Sequence, residues 1–102
     1  MSDCIYIGIG NSDDKLSQAE WSDFVRDALE ACQVAGTIIG AWFSEPTARY
    51  QNGCFCIRQP KSAKEKWLRA QLANIALEYE QDAISWAEAS TDLIRGKDAQ
   101  EV

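Results

Sequence analysis

From Cys4 to Ile9 the chain reads Cys4-Ile5-Tyr6-Ile7-Gly8-Ile9, a period-two pattern that predicts a strand. Ile5, Ile7 and Ile9 fall on one face, and Cys4, Tyr6 and Gly8 on the other. Gly10-Asn11-Ser12-Asp13-Asp14 reads as a loop. Ser17-Gln18-Ala19-Glu20 has the form of a capping box, in which the serine accepts from the backbone and the glutamate reaches back. Trp21, Phe24, Val25, Ala28, Leu29, Cys32 and Ala35 follow at helical spacing, and Gly36 is the expected stop.

Thr37-Ile38-Ile39-Gly40-Ala41-Trp42-Phe43 is apolar on both parities, so it reads as a second strand covered on both faces. A polar connection runs from Ser44 to Gln51, with a turn expected at Asn52-Gly53. Cys54-Phe55-Cys56-Ile57-Arg58 is the third strand, ended by Pro60. Ser62-Ala63-Lys64-Glu65 looks like another capping box, opening a helix with Leu68, Leu72, Ile75 and Tyr79 on one stripe. A short fourth strand is expected over Asp82–Ala87. Residues 88–102 read as a polar tail or short helix beyond a single domain at 1–87. Strand, helix, strand, strand, helix, strand is the split βαβ, or ferredoxin-like, α+β arrangement. It lays both helices on one face of a four-stranded antiparallel sheet.

That layout leaves the other sheet face bare. Alternation puts Cys4, Tyr6, Gly8, Cys54, Cys56, Arg58, Ser85 and Ala87 there. One parity of the second strand joins them, either Ile38, Gly40 and Trp42 or Ile39, Ala41 and Phe43. A solvated sheet face carries charge and threonine, so this one should be covered by a second copy of the chain or by a ligand. The tail, polar with one apolar pair at Leu93-Ile94, is too sparse to cover it.

Composition then removes several chemistries. Among 102 residues there is no histidine, so Ser-His-Asp and Cys-His nucleophiles cannot be assembled within the chain. Cys4, Cys32, Cys54 and Cys56 lack paired metal knuckles, and the expectation is reduced thiols with no metal and no cofactor. Met1-Ser2-Asp3-Cys4 shows no secretory pattern, and no apolar run approaches the roughly 20 residues of a membrane span. A cytoplasmic protein is expected.

The net charge of −6 argues against nucleic acid and membrane partners. The sign is uneven, however. Arg58, Lys61, Lys64, Lys66 and Arg69 face only Glu65 in their segment, so the rest of the chain carries −10. Lysines at a helix start, where the macrodipole is already positive, suit a bound anion. Aromatic rings add stacking. The expected ligand site is Tyr6, Trp42, Arg49, Tyr50, Arg58, Lys61 and Lys64, with no catalytic residue. Trp21, Phe24, Trp67, Tyr79 and Trp86 are expected in or against the core. Gly8-Ile9-Gly10 meets Asp13 where a phosphate loop needs glycine, and reads as a turn.

Four strings carry a resemblance: Ile5-Tyr6-Ile7-Gly8, Trp21-Ser22-Asp23-Phe24, Gly36 with Gly40-Ala41-Trp42, and Tyr79-Glu80-Gln81-Asp82-Ala83-Ile84. They resemble a loose family of small bacterial and phage proteins framed by a Y-x-G strand, a W-x-x-F helix and a Y-x-Q-x-x-[IV] segment. Size and acidity are also similar to phage proteins that blunt host immunity in the host cytoplasm, some as oligomeric sponges for nucleotide signals. The resemblance implies a ferredoxin-like fold and, with the residues above, a non-catalytic homo-oligomer that sequesters a small anionic, nucleotide-like ligand. Two alternatives stand beside it. One is an inhibitor or adaptor whose acidic helix face (Asp23, Asp27, Glu30) meets a basic partner protein. The other is a small enzyme using Asp82 or a tyrosine as base.

Overall fold

A computed structural model describes residues 4–11, 14–45, 47–48, 50–90 and 94–101. The elements are β1 (Cys4–Gly10), α1 (Gln18–Ala35), β2 (Ile38–Phe43), β3 (Asn52–Arg58), α2 (Ser62–Glu78) and β4 (Ser85–Ala89), followed by a 3-10 turn at Gly96–Glu101. The strands form one antiparallel sheet in the order β2-β3-β1-β4. Crossovers that skip a neighbour place the first and third strands at the centre, which is the ferredoxin-like topology.

Ile5, Ile7 and Ile9 of β1 and Phe55 and Ile57 of β3 are buried against Trp21, Phe24, Ala28 and Cys32 of α1 and Leu68, Leu72 and Ile75 of α2. At about 25 cal/mol per Å² of apolar area, this single helix-facing layer carries most of the stabilisation. The shortest dimension of the molecule is 19 Å, the depth of two layers, helices on sheet.

The first capping box forms as expected. Ser17 Oγ accepts from Glu20 N at 3.2 Å, and Ser17 N donates to Glu20 Oε1 at 3.0 Å. That pairing holds the Glu20 carboxyl below its usual range. Gly36 ends α1 in extended backbone, so its value is not conformational. A Cβ there would sit 3.1 Å from the Arg58 carbonyl oxygen, and glycine lets β3 pass close.

Several expectations need correcting. The second capping box does not form, because Lys61 occupies the cap position and Ser62 is already the first helical residue. Glu65 is therefore one residue too far along to reach back, and it pairs with Arg69 at 3.5 Å instead. Asn52-Gly53 is not a turn but the start of β3, with Gly53 paired to Ile9 and Phe43. Glycine is needed there because a Cβ would lie 2.9 Å from the Phe43 ring.

The last strand begins at Ser85, three residues later than expected. Residues 79–81 close α2: Gln81 N bonds to Ala76 O at 2.8 Å and Glu80 N to Leu77 O at 3.2 Å. The same strand runs to Ala89, past the expected domain boundary at 87, because Ala89 pairs with Cys4. The second strand is not covered on both faces; it is an edge strand, with Ile39, Trp42 and Phe43 each more than half exposed. Topology, rather than hydropathy, decides which strand is central.

Candidate functional site

Register builds the open face row by row. Arg58, Cys4 and Ala89 form one row across β3, β1 and β4. Gly40, Cys56, Tyr6 and Ala87 form the next, and Trp42, Cys54, Gly8 and Ser85 the third. The parity of β2 left open by alternation is settled by an irregularity. Ile38 pairs with Ile57 and Gly40 with Cys56, so Ile39 is an extra, bulged residue. Ile38 therefore packs toward the helices, while Gly40 and Trp42 face outward.

Gly40 has a specific use. A Cβ there would lie 3.0 Å from the Trp42 indole, so the ring lies back along its own strand, close over the glycine. Tyr6 stands one strand beyond β3, and Cys56 lies between the two. Cys56 is 4% exposed although no helix covers this face; side chains of its own face roof it. Hydrogen bonding with the Cys56 thiol and repulsion from Cys56 and Cys4 push the Tyr6 hydroxyl up. Burial pushes Cys54 and Cys56 up, and Cys32, in the core, to about 12. Protonated thiols are poor nucleophiles and poor ligands. Among the described residues no group of three or more cysteine, aspartate or glutamate side chains is placed to hold a metal ion. Arg58 is the single charged side chain of this face among the described residues.

The seven expected site residues do not converge. Tyr6, Trp42 and Arg58 share the open face. Lys61 and Lys64 lie at the start of α2, in the helical layer, within a few residues of Arg58 along the chain. Tyr50 is half exposed in the β2–β3 connection, at the opposite end of β3 from Arg58. Six residue steps separate the ends of that strand, or about 20 Å. Arg49 lies outside the described residues.

The basic cluster is also divided, because Arg69 leaves it to stack on Trp86, its guanidinium carbon 4.2 Å from the ring centroid. Trp67, expected against the core, is 38% exposed, whereas Trp21 and Phe24 are buried. Leu93 lies outside the described residues, and Ile94 is 92% exposed, so Ile94 does not cover the sheet.

Asp23 and Asp27, on the acidic face of α1, are engaged internally. Arg26 bonds to Asp23 at 3.2 Å and to Asp27 at 3.1 Å, and Tyr79 donates to Asp27 at 2.6 Å. Arg26 offsets one of the three negative charges of Asp23, Asp27 and Glu30, so that face of α1 stays acidic. The loop after β1 is organised by Asn11, which is 2% exposed. Its side chain donates to Leu16 O at 3.0 Å and accepts from Leu16 N at 3.1 Å, while its backbone N–H donates to Gln51 O at 2.7 Å. This is a structural loop. Asn11 escaped sequence reading because an asparagine after glycine signals a turn without saying which groups it will satisfy. No helix is long and apolar enough to cross a membrane among the described residues.

No protein-family model and no curated protein matches the chain. Two solved structures do. A dimeric ferredoxin-like protein from an uncultured marine organism is 10% identical, over 94% of this chain and 95% of that one, at a TM-score of 0.43. The C-terminal domain of the MgtC protein from Mycobacterium tuberculosis is 10% identical, over 86% of this chain and 88% of that one, at a TM-score of 0.54; that likeness is one of fold.

Proposed function

We propose that the chain is a non-catalytic, cytoplasmic binding protein that assembles with copies of itself through the open sheet face and sequesters a small anionic, nucleotide-like ligand. One observation carries this reading. The exposed side of the sheet shows two aromatic rings over a floor of glycine, alanine and cysteine, with one cation at its end. Water solvates such a surface poorly, and flat partners fit it well. The indole of Trp42 lies over Gly40, in the Cys56 row, and Arg58 is two residues further along β3. That step is about 7 Å, the scale that separates a stacked base from its phosphate. Trp42 and Tyr6 would hold the ring, Arg58 would pair with the anion, and Lys61 would add positive potential. Sequestration of a signal needs affinity without turnover, which suits a chain without histidine.

Isothermal titration with mononucleotides, cyclic nucleotides and ADP-ribose-type compounds tests the ligand. The expected result is micromolar or tighter binding of at least one class, weakened at least tenfold by Trp42→Ala or Arg58→Gln. Silence of the whole panel at millimolar concentration overturns it.

A further inference from the structure

A second concavity lies on the other side of the molecule, between α2 and β4. It has a volume of about 400 Å³. Sites for small molecules start at roughly 300 Å³. Leu72 and Ala76 of α2 and Ile84 ahead of β4 form apolar walls, Ala73 lies at the rim, and Trp86 and Arg69 line one end. Ser85, at the edge of the open face, also lines the concavity, but Tyr6, Trp42 and Arg58 do not.

The polar groups at that end are few and under-used. A guanidinium stacked on a ring retains its N–H fork for a planar anion. The one ion pair of Arg69 among the described residues, to Glu65 Oε1, is 3.5 Å long and engages a single nitrogen. Beside it, Trp86 Nε1 is buried and has no acceptor among the described residues. An unmet buried donor is unfavourable, and an acceptor carried in past Arg69 would relieve it. Asp82 also lines the cleft and Glu65 flanks Arg69, so a second negative charge on a ligand would be repelled.

We propose that this cleft binds a small monocarboxylate with an apolar body, its carboxylate on Arg69 and its chain against Leu72, Ala76 and Ile84. The charge arrangement selects one carboxylate over a phosphate or dicarboxylate, and the walls select an alkyl or aryl body over a sugar.

The test is a titration of the full, ¹⁵N-labelled chain with hexanoate, octanoate and 1-octanol below their aggregation limits, followed by amide and indole shifts. Saturable shifts are expected in residues 69–77 and 81–86, the Trp86 indole among them. Octanoate should bind about tenfold tighter than hexanoate, since each buried methylene adds a factor of three to four. It should also bind at least tenfold tighter than 1-octanol. Arg69→Gln should erase the preference for acid over alcohol while leaving the alcohol's affinity in place. Arg69→Lys, which keeps the charge and loses the fork, should fall between. Ala73→Leu, a change at an exposed helical position, should block both ligands. The proposal is overturned by no saturable shift at 10 mM octanoate, by shifts centred on Tyr6 and Trp42 instead, or by Arg69→Gln binding octanoate as the unmodified chain does. Because Tyr6, Trp42 and Arg58 do not line the cleft, these outcomes stand apart from the nucleotide titration.

Discussion

Tyr79 joins the two helices through one hydroxyl. It lies just past the end of α2, stacks on Phe24 with ring centroids 5.1 Å apart, and donates to Asp27 of α1 at 2.6 Å. That bond, with burial and the Asp27 charge, raises the Tyr79 hydroxyl well above its ordinary value of 10.0. A raised value in the folded state means stability that is full below pH 10 and is lost as pH climbs through the folded value. Tyr79→Phe keeps the ring and removes the bond. It should cost about 1.5 kcal/mol at pH 7 in urea unfolding, and it should flatten the alkaline decline above pH 10. Glu20 works with the opposite sign. Its lowered value stabilises the fold above pH 4.5, and that contribution fades as pH falls through the folded value. Ser17→Ala, which breaks the same box, should lose about 1 kcal/mol. Ser62→Ala should lose less than about 0.5 kcal/mol, since Ser62 caps nothing. Equal losses for the two serines would contradict the cap assignment.

At the scale of elements, α2 ends under strain. Glu80 sits at φ 55°, in the left-handed region that favours glycine, to complete the paired bonds from Gln81 and Glu80 back into the helix. Glu80→Gly should therefore raise stability by about 1 kcal/mol, read as a higher urea midpoint at an unchanged slope. A lower midpoint would show that the glutamate side chain contributes more than its backbone costs. The bulge at Ile39 has a different consequence. It switches the parity of β2, sending Trp42 outward and Phe43 inward onto Phe55, with ring centroids 5.9 Å apart. Gly40 then provides the room for the indole. Gly40→Val should lift the ring off its strand, change its fluorescence and weaken any stacked ligand, with little loss of stability at this edge position.

For the whole molecule, the question is what meets the uncovered side of the sheet. A chain of net charge −6 places one charged side chain among the described residues of that surface, Arg58. Ala87 lies on the edge strand β4, in the same row as Tyr6, and it is exposed. Ala87→Lys should leave the fold intact. In sedimentation velocity near 100 µM the unmodified chain should run as an oligomer and this variant as a monomer. An unmodified chain that is already monomeric there would remove the assembly from the proposed function.

Periodicity was enough to place Ile5, Ile7 and Ile9, the stripe from Trp21 to Ala35 and that from Leu68 to Tyr79, because each burial pattern is written within one element. The order of those elements narrowed the topology to a single arrangement, since crossovers have a preferred hand. Tyr6 and Arg58 on one face were legible for the same reason, alternation within a strand. Trp42 was legible only as one of two choices, because a single inserted residue reverses every side chain beyond it. Cap positions slipped by one at Lys61, where a serine and a glutamate four residues past the true cap mimic a box. Tyr50 was grouped with Arg58 by nearness in sequence, yet a strand between them holds them apart. Arg69 on Trp86 and Tyr79 on Asp27 join residues 17 or more apart in the chain, and the cleft sets Leu72 and Ala76 of one element against Ile84 beside another. Such contacts arise only when layers pack, and no local pattern announces them.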